Sequence, residues 1–353
     1  MSSRSIKEKS SDPDPALAVI RRVDRDGAPR RNGISRLPQL LKLPLLMVLS
    51  LNLSAVLYSL SAMYLDTDMD FAVISRSMES EDWWDGLAMA GTLVGWRMFE
   101  VALAWFEGYD SYDVAALTLL SHAPPMYLLG TFYGVRPATV LSALIIDVLT
   151  MSIPLRLLRL PSPMHSAFAS ATSSGTDAVP NTDILTDSSI QTLTTVLAAS
   201  IYGTVLYCAY AFGLPVYLVT YFSDIPSVEA AHASVPITLI PLVLPLGYAA
   251  KTFIFTPAAA SAPSAADAKN SAFNPATATL GETFWYNVWG YQTRTKTVIR
   301  RTATLMLVSG VNTLLRTWMP IAGVEVAGAA AYSTVWVVAA LTTGAALGLV
   351  CAV

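Results

Sequence analysis

LLKLPLLMVLSLNLSAVLYSLSAMYL, residues 40–65, decides the fold. Apart from Lys42 it carries no charge. It also exceeds the roughly 20 apolar residues that an α-helix needs to cross a bilayer core. The same texture returns at 86–106, 114–134, 137–157, 191–222, 235–255, 302–322 and 326–350. The run 191–222 is too long for one upright span, so it is expected to tilt, to bend at Pro215, or to lie partly at the interface on Tyr217 and Tyr221. Composition agrees: the 353 residues are 54% hydrophobic and only 13% charged, against roughly 25% charged in a soluble domain. The fold expected is all-α, a polytopic transmembrane helix bundle of eight spans.

Charge sets the expected orientation, because Lys and Arg resist translocation. Ten of the 22 basic residues precede or sit at the first span, Arg156 and Arg159 close the fourth, and six from Lys251 to Arg301 surround the loop before the seventh. Arg76 and Arg136 fall on the other side, in or beyond the acidic loop 66–85, while Arg97 and Arg316 lie within spans. Both termini are therefore expected in the cytosol. Residues 1–39 read as a disordered basic tail ahead of a retained signal anchor. Two four-span halves, 40–157 and 191–353, are expected around a Ser, Thr and Pro-rich flexible linker at 158–190. The cytosolic loop 256–301 contains GETFWYNVWGYQTRTKTVIRRT, where Phe284, Trp285, Trp289 and Tyr291 lead into Arg294, Lys296, Arg300 and Arg301. That pattern suits an interfacial helix, or the aromatic and basic anchors of the next span.

Net charge is −3, so no basic excess points to nucleic acid as a partner. Cys208 and Cys351 sit in apolar runs without a CxxC pair, and neither a disulfide framework nor a zinc site is expected. No HExxH, GxSxG, Walker loop or histidine-rich box is present, so no metal and no cofactor is expected.

The candidate chemistry lies in charges inside spans, which are expensive and by default functional. In GLAMAGTLVGWRMFEVALAWFEGYD, Arg97 and Glu100 stand three apart on one helix face, where they either neutralise each other or serve a site. Asp147 has no cation in its own span and Arg316 no anion, so pairing of Asp147 or Glu100 with Arg316 across the bundle would satisfy both; snorkelling to the surface is the other outcome for Arg316. His122 stands beside Pro124 and Pro125, which free backbone carbonyls that its ring would bond. Trp96 offers an aromatic wall. A carboxylic acid in an apolar cavity is suited to general acid catalysis, so Glu100 and Asp147 are the candidate catalytic residues, with Arg97, Arg316, His122 and Trp96 as binding or charge-pairing residues.

The phrases FNPATATLGETFWYNVWGYQTRTKTVIRRT and VSGVNTLLRTWMPIAGVEVAGAAAYSTVW, with the second span, resemble the multi-span membrane proteins of fungal indole-diterpene (paxilline-type) biosynthetic gene clusters. The resemblance implies a place in terpenoid secondary metabolism at the endoplasmic reticulum. Three functions follow as expectations: acid-promoted cyclisation of a prenylated substrate, non-catalytic organisation of neighbouring membrane biosynthetic enzymes, or transport of a lipophilic metabolite. The partners expected are the lipid bilayer, a lipophilic small molecule and those enzymes.

Overall fold

The computed structural model describes residues 38–76, 83–166, 180–275 and 277–352. Long apolar runs give long helices, in the order α1 (Gln39–Leu65), α2 (Thr67–Ile74), α3 (Trp83–Phe106), α4 (Ser111–Phe132), α5 (Pro137–Leu158), α6 (Pro163–Ser166), α7 (Thr182–Thr186), α8 (Ser188–Phe212) and α9 (Leu214–Tyr221). There follow α10 (Glu229–Ala233), α11 (Pro236–Leu242), α12 (Leu244–Ala250), a π-helical turn at Lys251–Phe255, α13 (Thr256–Ala259), α14 (Ala265–Ser271), α15 (Leu280–Trp289), α16 (Thr293–Trp318) and α17 (Val326–Ala352). Among the described residues there is no strand, only the isolated antiparallel bridges Ser75–Ile321 and Phe222–Val324. The chain divides into two units, Met1–Lys42 and Leu43–Val353. The expected tail 1–39 falls almost wholly outside the described residues.

Among the described residues five helices are long and apolar enough to cross a membrane, namely α1, α3, α5, α8 and α17. A sixth crossing arises if α11 and the stretch Leu244–Ala259, bent by 56° at the break, form one broken span. This is fewer than the eight expected. The two that drop out, α4 and α16, are long enough but too polar, and both lie inside the bundle. Sixteen residues of α4 are buried, among them Asp113, Ser121 and His122, and α16 buries Arg301, Ser309, Asn312 and Thr313. Both carry polar groups that neighbouring helices meet in part, such as Arg301 on Asp113 and Asn312 on the Ser121 carbonyl.

The long run at 191–222 breaks at Gly213, not at Pro215: the Gly213 φ of 142° is open only to glycine, and Pro215 then sits in the first turn of the next helix. Gly247 marks a close helix approach, since a Cβ there would stand 2.5 Å from the Thr195 carbonyl oxygen. The most extensive pairings are α16 with α17 and α4 with α5. By contrast α1 exposes Leu45, Val48, Val56, Leu60 and Met63, an apolar face that hydrocarbon covers at no cost.

Leu43–Val353 form one unit in which α4 packs against α16. The described ends of the expected linker are held as well. The Ser162 N–H donates to Asp110 Oδ2 at 2.8 Å, Asn181 Nδ2 donates to the Ala259 carbonyl at 2.8 Å, and Leu185 is fully buried. Residues 167–179 lie outside the described residues.

Candidate functional site

Two consecutive prolines, Pro124 and Pro125, sit inside α4. Each lacks the N–H that would bond the carbonyl four residues earlier, so the carbonyls of Leu120 and Ser121 lose their helical partners. Both are met from α16, where Ser309 Oγ donates to Leu120 O at 3.5 Å and Asn312 Nδ2 to Ser121 O at 2.8 Å. Tyr332 Oη, from α17, donates to Pro124 O at 2.7 Å. The polar face of α16 thus complements a defect written into α4.

Arg316 follows Asn312 by one turn and shares its face. From there its Nη1 donates to Asp147 Oδ2, on α5, at 2.7 Å. His122 Nδ1, from α4, lies 2.7 Å from the same oxygen. The other oxygen, Oδ1, accepts from Tyr58 Oη of α1 at 3.0 Å and from Arg97 Nη1 of α3 at 3.3 Å. Arg97 Nη2 also donates to Thr150 Oγ1. Five helices therefore meet on one fully buried carboxylate.

Arg97 and Glu100 share a face without pairing. Arg97 reaches Asp147, whereas Glu100 Oε1 stands 3.5 Å from His122 Nε2 without making a hydrogen bond. Glu100 Oε2, Arg97 Nε and His122 Nε2 are buried and have no hydrogen-bond partner. His122 turns its ring to the two acids, and the freed carbonyls go to α16 instead. Arg316 points inward rather than snorkelling.

A cavity of about 410 Å³ opens beside this cluster, with Leu51, Trp96, Met126 and Leu129 on its apolar side and Arg97, Asp147 and Arg316 at its polar end. Trp96 stacks on Phe99 at 5.1 Å, and its buried Nε1 is unpartnered. The volume is that of a small-ligand pocket. Both Asp147 oxygens, however, are aimed at protein donors, so the geometry is that of a clamp between helices.

A second constellation ties the opposite helix ends. Asp110 caps α4, its Oδ1 accepting from the N–H of Tyr112 and Asp113 at 3.0 and 2.9 Å, its Oδ2 from Ser162 N–H and lying 2.7 Å from His165 Nδ1. Burial pushes the Asp110 carboxyl up, but the bonds from His165, Asp113 and Ser162 outweigh it and hold the group well below the usual carboxylate range. Asp113 takes a two-pronged contact from Arg301, at 2.6 and 3.0 Å, and the same Nη1 of Arg301 donates to the Phe253 carbonyl at 2.8 Å. Asp110, Asp113 and His165 place ligand atoms within 4.8 Å of one another. A guanidinium already occupies both oxygens of Asp113, so this trio fits a helix-capping knot better than a metal centre. Arg301, expected among the basic residues of the membrane interface, is buried here.

The sequence pointed to Arg97, Glu100, His122, Asp147, Arg316 and Trp96, and the structure places all six in or beside one cluster. It missed Tyr58 and Thr150, whose residue types are ordinary in a span. It also missed Ser309 and Asn312, although the proline pair in α4 implied that donors had to come from somewhere.

Residues 187–350, somewhat under half of the chain, match the family model of the Bouquet formation protein 3 C-terminal domain. No characterised protein and no solved structure matches the chain. The match overturns the expected kinship with indole-diterpene cluster proteins. With it fall the terpenoid cyclisation, the organisation of biosynthetic enzymes and the metabolite transport that kinship implied. Both quoted phrases, 273–302 and 308–336, lie inside the matched stretch. What they carry is interfacial aromatic and basic residues followed by small-residue helix packing, features that any polytopic protein needs.

Proposed function

We propose that this chain is an integral membrane component of bouquet formation, the gathering of chromosome ends in meiosis, and that it acts as an anchor rather than as a catalyst. The observation that carries the reading is the match of residues 187–350 to the Bouquet formation protein 3 C-terminal domain. The cluster on Asp147 is consistent with an anchor, because both oxygens of that carboxylate are spent on side chains from four other helices. A membrane protein that acts on chromosome ends has to lie in the membrane that bounds the chromosomes, which is continuous with the endoplasmic reticulum. With no basic excess in the chain, its link to those ends runs through a protein partner rather than through DNA.

In this reading α4, α16 and the broken pair cross the bilayer together with the five apolar helices. That makes eight crossings and puts both termini on the side that holds Arg156, Arg159 and Arg294–Arg301. Deleting the gene in its native host and imaging labelled chromosome ends in meiotic prophase tests the function. Scattered ends, gathered again by the wild-type gene, are expected; normal clustering in the deletion strain overturns the proposal.

A further inference from the structure

Among the described residues the buried arginine and lysine side chains are Arg97, Arg301 and Lys251. Arg97 and Arg301 lie against carboxylates at 3.3 and 2.6 Å, as does the less buried Arg316 at 2.7 Å. Lys251 differs. It is 4% exposed and makes no ion pair within the described residues. Its ammonium donates to Gln191 Oε1 and stands 4.5 Å from the centre of the Tyr248 ring. A carbonyl oxygen and a ring face solvate a cation without neutralising it.

The position of Lys251 is itself unusual, since it opens the π-helical turn Lys251–Phe255. An added residue in a helix re-aims the side chains that follow, and such turns concentrate at functional sites. Here the turn sets Lys251 at the wall of a cavity of about 730 Å³ between the first turns of α8 and the stretch from Leu244 to Thr256. Tyr112 and His165 close the end nearest the Asp110 knot, and the Nε2 of His165 is buried without a partner. Along the open side the lining turns apolar at Val196 and Leu244, both exposed. The cavity is therefore cationic at depth, apolar at its mouth, and set at the end of the bundle that carries Arg156 and Arg159.

We propose that this cavity binds a phosphate group, with the ammonium of Lys251 as its counter-charge and His165 as a second polar contact. Two sources share that chemistry, the headgroup of an anionic lipid and free phosphate. The apolar mouth accommodates the first acyl carbons of a lipid. This site is separate from the Asp147 cluster and does not depend on the part played in bouquet formation.

The test uses the purified full-length chain in detergent, with binding read by native mass spectrometry. The probes are dioleoyl phosphatidic acid, dioleoyl phosphatidylcholine and inorganic phosphate. Wild type is expected to prefer phosphatidic acid. Lys251→Met should weaken that binding by about tenfold, as loss of a charge-assisted bond does, and Lys251→Arg should retain it. Failure of inorganic phosphate to compete identifies the lipid as the source. Lys251-dependent binding of inorganic phosphate identifies the free ion, and either result upholds the site. Should Lys251→Met not fold, Thr192→Trp fills the groove without touching the lysine and should give the same loss. Equal binding of the two lipids by wild type together with no Lys251-dependent binding of inorganic phosphate, or binding unchanged by both Lys251→Met and Thr192→Trp, overturns the proposal.

Discussion

Asp147 is the residue on which most of the interior converges, and removing it strands the two arginines that face it. Taking one partner from a buried ion pair leaves an uncompensated charge and typically costs about 3–5 kcal/mol. Asp147→Ala should therefore lower thermal stability in detergent sharply. Replacing Asp147, Arg97 and Arg316 together by Leu, Met and Met should be milder than Asp147→Ala alone, because no guanidinium is left stranded. Thermal unfolding of the solubilised variants decides this, and a triple variant at least as unstable as Asp147→Ala would show that the cluster works by packing instead. Asp147 and Arg316 were legible in the sequence because a lone charge in an apolar run needs a partner elsewhere. Tyr58 was not, because a tyrosine in a span carries no such requirement.

Asp110 supplies the corresponding test outside the membrane-crossing segments. Its folded pKa is depressed, so the stability it confers is fully present above the unfolded carboxylate value of about 3.9. That stability is lost as pH falls from there through the folded value. Wild type should exceed Asp110→Asn in unfolding temperature at neutral pH, and the gap should close progressively below about pH 4. A gap that is constant with pH would mean that the cap works by geometry alone.

At the scale of elements, α4 and α16 form a lock and its key. If Asn312 is present because Pro125 frees the Ser121 carbonyl, its worth should depend on that proline. Asn312→Leu should cost about 1–3 kcal/mol, the penalty for a buried polar group left without a partner. The same change made on Pro125→Ala should cost far less, because the alanine restores an N–H for that carbonyl. A double-mutant cycle on unfolding free energy measures the coupling, and purely additive effects would sink the idea. Here sequence reading reached only half of the arrangement. The prolines announced that carbonyls would be freed, but the donors lay 189 and 191 residues away in a helix expected to be an ordinary apolar span. Hydropathy averages over a helix and hides which face is polar; for the same reason it counted α4 and α16 among eight equivalent spans.

For the whole molecule, the helix ends sort into two groups. Phe222–Val324, Ser75–Ile321 and the Arg136–Asp70 pair, at 2.7 Å, gather at one end, while the Asp110 and Asp113 contacts gather at the other. If all eight segments cross, the first group faces away from the cytosolic side. An N-glycosylation acceptor engineered on a short insert near Ser223 should then be modified, and one near Ala272 should not, as read by a glycosidase-sensitive mobility shift. Modification near Ala272 would reverse the orientation, and modification of both would reject the crossing count. The all-helical fold and the presence of helices long and apolar enough to cross a membrane were plain from the apolar runs. The contacts that hold the described ends of 158–190 were not, because a Ser- and Thr-rich stretch reads as a linker whether or not its ends are pinned.

The clamp on Asp147 also has a history within each molecule. A ribosome builds Asp147 after Arg97 but 169 residues before Arg316, so the acid is made long before its second guanidinium exists. During that interval Arg97, only 50 residues upstream, is the guanidinium at hand. The two arginines that look alike in the finished protein therefore become available to the acid one after the other, Arg97 from the start and Arg316 only near the end.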